Sequence, residues 1–150
     1  AVFQYYLNRP KETSASFTAD GFFRTGDIVS RDSTGEFRIL GRASVDIIKT
    51  GGHKCSALDI EREILLHPEV AEVAVIGLPD ELFGQIVAAI IRLKRPTTLS
   101  QAVLSELYTT YFKRKISRWQ IPRRWKFVEE IPRNAMGKVN KKELAKEFSI

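Results

Sequence analysis

The sequence is poor in cysteine and has no long apolar run. Cys55 is the only cysteine among 150 residues, which excludes an internal disulfide framework and suits a reducing compartment inside the cell. We expect the cytoplasm, a mitochondrion or a plastid. No segment approaches the roughly 20 apolar residues that cross a bilayer, so we expect no membrane span. Because no His or Asp partner can be assigned to it, we interpret Cys55 as a small packing residue rather than a nucleophile.

Positive charge is abundant but unevenly placed. The formal net charge is +6, and segment 113–126 carries seven Lys and Arg side chains and no acid. Such a segment predicts an anionic partner. Trp119 and Trp125 lie within it and could stack on bases, so a basic nucleic-acid-binding module is one hypothesis. Trp125 also alternates with Phe127 in a strand-like pattern, which favours a core position for both side chains.

Hydrophobic residues make up 43% of the sequence, enough to bury the core of one globular domain. Periodicity and turn residues predict an α+β fold, with a central sheet of about three strands flanked by helices and a separate β-hairpin. The predicted segments are a hairpin at 28–40, a helix at 57–66, strands at 70–77, 85–93 and 125–131, a loop at 78–80, a helix after the Ser100 cap, and a short C-terminal helix.

Segment 41–61 concentrates several local signals. A predicted strand leads into the Gly51-Gly52 doublet, and a helix begins after Ser56 as its N-cap. Glycines without Cβ let a ligand approach the backbone closely. The flanking side chains favour an anion at this turn: Lys49, His53 and Lys54. The alternative is a tight strand-to-helix turn with solvated lysines.

Two further motifs carry candidate chemistry. Asp27 follows Thr25-Gly26 at the end of a short predicted strand, where an acid can hold the two hydroxyls of a ribose. A turn aspartate bonded to its own backbone is the alternative. Near the C-terminus, a loop that starts at Pro132 places Lys138 directly after Gly137, ahead of the terminal helix.

Taken in this order, the motifs resemble those of the adenylate-forming acyl-CoA synthetases, the AMP-binding ligases. Residues 23–27 resemble the ribose-binding motif, residues 41–61 the hinge and thiol-side motif, and residues 132–138 the catalytic-lysine motif of that family. The resemblance covers nearly the whole chain. Its hinge region looks most like the branch that includes malonyl-CoA synthetases.

The resemblance implies two domains and two half-reactions. Residues 1–41 would end the N-terminal adenylate-binding domain, residues 42–150 would form the small mobile C-terminal domain, and the hinge would lie at about 42–46. ATP and a carboxylic acid first give an acyl-adenylate and pyrophosphate, and coenzyme A then displaces AMP to give the thioester. The acid pocket belongs to the N-terminal domain, so we expect a piece of a longer protein that is inactive alone.

The resemblance also implies roles for individual residues. Lys138 would be catalytic, and Asp27 and Arg42 would bind ATP or AMP. The coenzyme A side would comprise Lys49, Gly51, Gly52 and Lys54. Mg²⁺ is expected with ATP, but no metal ligand is assigned in this segment, and no nucleic-acid partner is implied. A neighbouring alternative is an adenylation domain that loads the thiol of a carrier protein.

Overall fold

The computed structural model describes residues 2–148, which form four helices and seven strands. In chain order they are α1 (Pro10–Ser16), β1 (Asp27–Arg31), β2 (Phe37–Arg42), β3 (Ile47–Thr50), β4 (His53–Ser56), α2 (Ala57–Leu65), β5 (Val70–Asp80), β6 (Gly84–Leu93), α3 (Gln101–Phe112), β7 (Arg124–Val128) and α4 (Lys141–Glu147). No helix within this range is both long and apolar enough to cross a membrane.

The larger sheet is organised around β6. Strand β5 pairs with one edge of β6 along its whole length and runs antiparallel to it. The other edge is shared, because β7 pairs in parallel with residues 88–92, while β3 meets the first residue of β6 through Thr50 and Gly84. Strand β4 then pairs with β3 at the outer edge.

Strand β6 is buried on both faces, which explains its unbroken apolar sequence. Its side chains alternate between two clusters: Val87, Ala89 and Ile91 on one side, and Ile86, Ala88 and Ile90 on the other. Helices α2 and α3 cover the first face and bury Ile64 and Phe112 completely, whereas α4 covers the second face through Leu144, which is 1% exposed. The sheet therefore lies between two helical layers.

Residues 2–42 are packed differently. Strands β1 and β2 form a separate antiparallel pair, and α1 buries none of its side chains. Large apolar side chains are exposed throughout this part: Val2, Phe3, Tyr5, Tyr6, Leu7, Phe22, Ile28, Val29, Phe37 and Ile39. Such a concentration of exposed apolar side chains is typical of a surface that packs against another domain or another protein.

The predicted α+β class is confirmed, and the three predicted strands correspond to β5, β6 and β7. The expectation of about three strands underestimates the sheet, which has five because the hairpin of β3 and β4 extends it. The predicted loop at 78–80 is wrong, since β5 continues to Asp80 opposite Gly84. The apolar sequence pattern that predicted the strand ends before Pro79, but pairing of Pro79 and Asp80 with β6 keeps the backbone extended there.

The Gly51-Gly52 doublet is the turn of a hairpin and not a direct strand-to-helix turn. Thr50 pairs with His53 across it, and the chain forms β4 before the helix begins at Ala57. Half of β4 is exposed, so its sequence carries no apolar run that would have indicated a strand. The predicted cap is confirmed, because the backbone N–H of Asp59 donates to Ser56 Oγ at 3.1 Å.

Candidate functional site

An open cleft of about 430 Å³ separates the turn at residues 43–46 from the loop at 133–140. Arg42 and Asp46 line it from the turn, while Lys138 and Lys141 line it from the loop and the start of α4. The two sides are almost a hundred residues apart in the chain. The cleft has more cations than anions on its walls, and it therefore suits an anionic ligand.

The loop that carries Lys138 is closed by its own hydrogen bonds. Asn134 Oδ1 accepts the backbone N–H groups of Met136 and Lys138, both at 3.0 Å. Gly137 has φ +73°, a conformation that glycine adopts without strain, and its N–H donates to the Asn134 carbonyl at 2.8 Å. Lys138 is exposed, and no carboxylate within residues 2–148 forms an ion pair with it. Its charge is available to a ligand.

Arg133 fixes this loop to the sheet. Its guanidinium donates to the Gly137 carbonyl at 2.9 Å and contacts Glu72 Oε2, on β5, at 2.7 Å. The hydrogen bonds from Arg133 and then Arg92 hold the pKa of the Glu72 carboxyl below its usual value. The ion pairs lie near the surface, where each contributes about 0–1 kcal/mol.

Asp27 and Arg42 lie directly opposite each other at the open end of the β1–β2 hairpin. Arg42 Nε is 3.5 Å from Asp27 Oδ1, and both side chains are accessible. The backbone N–H of Asp27 donates to Thr25 Oγ1 at 3.2 Å. The Asp27 carboxylate is connected to the cleft through Arg42, which lines it. The strand predicted ahead of Asp27 is reduced to a single bridge between Phe23 and Phe17.

The four residues assigned to the coenzyme A side lie together on the β3–β4 hairpin, away from the cleft. Lys49 and Lys54 are exposed and directly opposite each other across the two strands. Like charges in such a pair repel, and an anion would relieve that repulsion.

The two glycines of this hairpin have different surroundings. Both have positive φ, +54° at Gly51 and +80° at Gly52. A Cβ at Gly51 would lie 2.8 Å from the Trp119 ring, whereas one at Gly52 would meet nothing within 4 Å. Glycine at position 51 is therefore needed for the packing of Trp119. Of the two glycines, Gly52 is the one with free space beside its backbone for a ligand.

Part of the basic segment 113–126 lies against the tip of the β3–β4 hairpin, residues 49–54. Trp119 stacks on His53 with ring centroids 4.3 Å apart, and the Arg118 guanidinium lies 4.4 Å from the Trp119 ring. Arg123 lies 3.9 Å over Phe83, whose carbonyl accepts the Gly51 N–H. The tip is a cationic surface supported by aromatic rings.

The Trp125 indole packs against residues of the same domain. Its Nε1 donates to Thr109 Oγ1 at 2.8 Å, and its ring stacks on Phe112. The core interpretation of Trp125 is confirmed. Cys55 is likewise a packing residue, 4% exposed within the first cluster, and burial raises the pKa of its thiol.

Sequence reasoning missed three charged residues at the base of the cleft. Lys141 Nζ lies 2.7 Å from Asp46 Oδ1 and 2.8 Å from Glu61 Oε1. All three side chains are largely buried, which is rare for charged groups. The only local signal was the position of Asp46 between apolar neighbours. Between residues 2 and 148 no group of His, Cys, Asp or Glu is suited to hold a metal ion.

The sheet between two helical layers, with a hairpin attached ahead of it, defines this fold as that of the C-terminal part of adenylate-forming enzymes. The chain belongs to the AMP-binding enzyme C-terminal domain family, whose family model matches residues 59–138. The match covers slightly more than half of the chain.

Relatives with assigned activities are similar to the whole chain. The mitochondrial malonate–CoA ligase ACSF3 of Mus musculus is 49% identical over 149 residues, which is 99% of this chain and 24% of the relative. The chain therefore spans about a quarter of the length of the curated relatives it matches.

Two solved structures of one protein, MatB from Rhodopseudomonas palustris, match this chain to different degrees. The ATP-bound structure matches with a TM-score of 0.85 at 35% identity, and the apo structure with 0.67 at 36% identity. Each match covers 99% of this chain and 28% of MatB. This chain is therefore more similar in structure to the ATP-bound form than to the apo form.

Proposed function

We propose that the chain is the C-terminal portion of an ATP-dependent acid–thiol ligase. The complete enzyme would convert a carboxylic acid and ATP to an acyl-adenylate and pyrophosphate, and would then form an acyl-CoA thioester with release of AMP. The observation that carries the proposal is that Arg42 and Lys138 line one cleft and that Asp27 contacts Arg42. The family membership and the likeness to an ATP-bound relative support it.

The cleft residues suit the adenylation half-reaction. Two anions, the carboxylate of the acid and the α-phosphate of ATP, must approach each other in that step, and a fixed cation lowers the energy of their encounter. Lys138 would supply this charge from a loop that its own hydrogen bonds keep in place. Asp27 would accept hydrogen bonds from the ribose hydroxyls, and Arg42 would hold the Asp27 carboxylate in place or contact phosphate.

The hairpin tip suits the thiol half-reaction. Gly52 leaves space for the narrow thiol arm of coenzyme A, and its exposed neighbours would attract the phosphates. These neighbours are Lys49, Lys54, Arg118 and Arg123. We assign Gly51 to the same surface, where its part is to allow the close approach of Trp119.

Strand β3 separates the two proposed sites. It starts after the turn at 43–46 and ends at Thr50, next to Gly51, and its four residues span roughly 13 Å. We propose that residues 1–41 end the N-terminal domain, that residues 42–150 form the C-terminal domain, and that the hinge lies within 42–46. Rotation of the C-terminal domain about this hinge would move the cleft end of β3 out of the active site and bring the hairpin end into it.

We propose malonate as the acid, on the basis of the malonate–CoA ligases among the relatives. A mitochondrial location would follow the mitochondrial relatives. ATP would enter with Mg²⁺, held by groups outside this chain. The acid pocket would also lie in the N-terminal domain, so this chain does not select the acid.

The test uses the complete protein that contains this chain. Carboxylate-dependent exchange of pyrophosphate into ATP is measured with malonate, acetate and decanoate, and thioester formation is measured with coenzyme A and with a carrier protein. We expect malonate to give the fastest exchange and coenzyme A to be the acceptor. Absence of exchange with every acid would contradict the proposed activity, and exclusive transfer to the carrier protein would favour the carrier-loading alternative.

A further inference from the structure

The ion network at the base of the cleft has no part in the reaction proposed above. Lys141, the first residue of α4, contacts Asp46 and Glu61 and is 14% exposed. Each carboxylate also accepts a backbone N–H: Asp46 Oδ2 from Arg42 at 2.9 Å, and Glu61 Oε1 from Val75 at 2.7 Å. One ammonium therefore bridges two carboxylates that already accept backbone N–H groups.

The Asp46 carboxylate joins segments on both sides of the proposed hinge. Its Oδ2 accepts the N–H of Arg42, the first residue of the proposed hinge region, and its Oδ1 accepts from Lys141, three residues after Lys138. Gly41 makes this approach possible, since a Cβ there would lie 2.4 Å from the Asp46 Cβ and the residue has φ +123°.

Glu61 has a different part in the network. It lies on α2, packs within the body of the C-terminal domain, and holds Lys141 through a contact that does not cross the hinge. The Asp46 contacts depend on the conformation of turn 43–46, where the Asp46 N–H donates to the Arg42 carbonyl at 2.8 Å. The network thus combines a contact from Glu61, which lies within the C-terminal domain, with a contact from Asp46, which depends on the conformation of turn 43–46.

We infer that Lys141 is a positioning residue for adenylation: its ion pairs with Asp46 and Glu61 fix the start of α4, and with it the place of Lys138 relative to Asp27 and Arg42. The inference rests on the proposed function. Removal of the Lys141 charge leaves two largely buried carboxylates without a counter-ion, and we expect this to displace the segment that carries Lys138. A displacement of about 1 Å can lower a catalytic rate by about 100-fold.

The test compares three variants in the complete protein: Lys141→Met, Lys141→Arg, and Lys146→Met as a control on an exposed position of the same helix. Both half-reactions are measured, adenylation by pyrophosphate exchange and thioester formation from supplied acyl-adenylate. We expect Lys141→Met to lower the adenylation kcat by about 100-fold with little change in the KM for ATP. Thioester formation should persist, Lys141→Arg should recover most of the adenylation rate, and Lys146→Met should match the unmodified protein.

Asp46→Asn keeps the inference testable if Lys141→Met does not fold, because the amide has the shape of the carboxylate without its charge. We expect the same preferential loss of adenylation, smaller in size. Adenylation at the unmodified rate in Asp46→Asn, or equal loss of both half-reactions in Lys141→Met without recovery in Lys141→Arg, would overturn the positioning role. An unmodified protein without any pyrophosphate exchange would instead contradict the proposed function.

Discussion

The two ends of β3 carry the two candidate sites, and they are built in different ways. The cleft end brings together Lys138 and Arg42, with Asp27 paired to Arg42, and the buried Asp46–Lys141 ion pair links the two sides of the cleft. The hairpin end takes its candidate residues from one short segment, 49–54, and the aromatic rings of Trp119 and Phe83 pack against it. A site made of distant segments loses its geometry when the segments move. A local hairpin keeps its shape and can be moved as a unit.

The largest expected effect is at the cleft end. In the complete protein, we expect Lys138→Ala to lower the rate of adenylation by about 10²- to 10³-fold, because no other group supplies the charge at that point. Thioester formation from supplied acyl-adenylate should be retained. Pyrophosphate exchange at a near-normal rate would remove Lys138 from the catalytic role, and Lys146→Ala is the matched control.

At the hairpin end we expect the opposite pattern. Gly52→Leu should slow thioester formation on the order of tenfold, equal to about 1.4 kcal/mol, and should spare adenylation. Gly52→Asn tolerates positive φ better than leucine and separates backbone strain from side-chain bulk, so it should have a smaller effect. Equal losses of both half-reactions in the leucine variant would indicate a folding defect rather than a blocked approach.

The two glycines should also differ in local stability. Alanine at either position adopts a left-handed conformation at a cost of about 1–2 kcal/mol, but only Gly51→Ala also meets the Trp119 ring. We expect hydrogen exchange in β3 and β4 to be faster in Gly51→Ala than in Gly52→Ala. Equal exchange rates in the two variants would mean that the Trp119 ring moves away from the added Cβ at no cost. The double variant Gly51→Ala/Trp119→Ala, which removes the ring, tests this.

The smallest expected effect concerns the paired lysines. Lys49→Glu or Lys54→Glu should raise the KM for coenzyme A by roughly fivefold, as expected for exposed charges. The difference from the unmodified protein should shrink as salt is added, because the charges are in contact with solvent. A KM for ATP that rises instead would place these lysines at the cleft end.

The sequence predicted the elements that carry strong local signals. Alternation and apolar runs indicated β5 to β7, and Ser56 and Ser100 correctly marked helix starts, since capping is a short-range interaction. The family motifs led to Asp27 and Lys138, whose roles stay predictions; the fold places Lys138 in the same cleft as Arg42, the ion-pair partner of Asp27.

The remaining features depend on contacts between distant residues. Strand β4 was missed because half of it is exposed. The packing of Trp119 against Gly51, 68 positions earlier, was missed as well, whereas the ligand role of Gly51 stays a prediction. The Asp46–Lys141 ion pair spans 95 positions, and a charged residue in sequence does not reveal whether it will be buried. Such contacts are set by tertiary packing, which local patterns do not encode.

Hydrogen exchange of the complete protein, with a non-hydrolysable acyl-adenylate analogue and with or without coenzyme A, most directly tests whether the two ends of β3 serve different half-reactions. With the analogue alone, we expect protection of the loop at 133–140 and free exchange at residues 49–54. Addition of coenzyme A should reverse this, with protection at the hairpin tip and exposure of the Lys138 loop. Simultaneous protection of both segments would contradict the account.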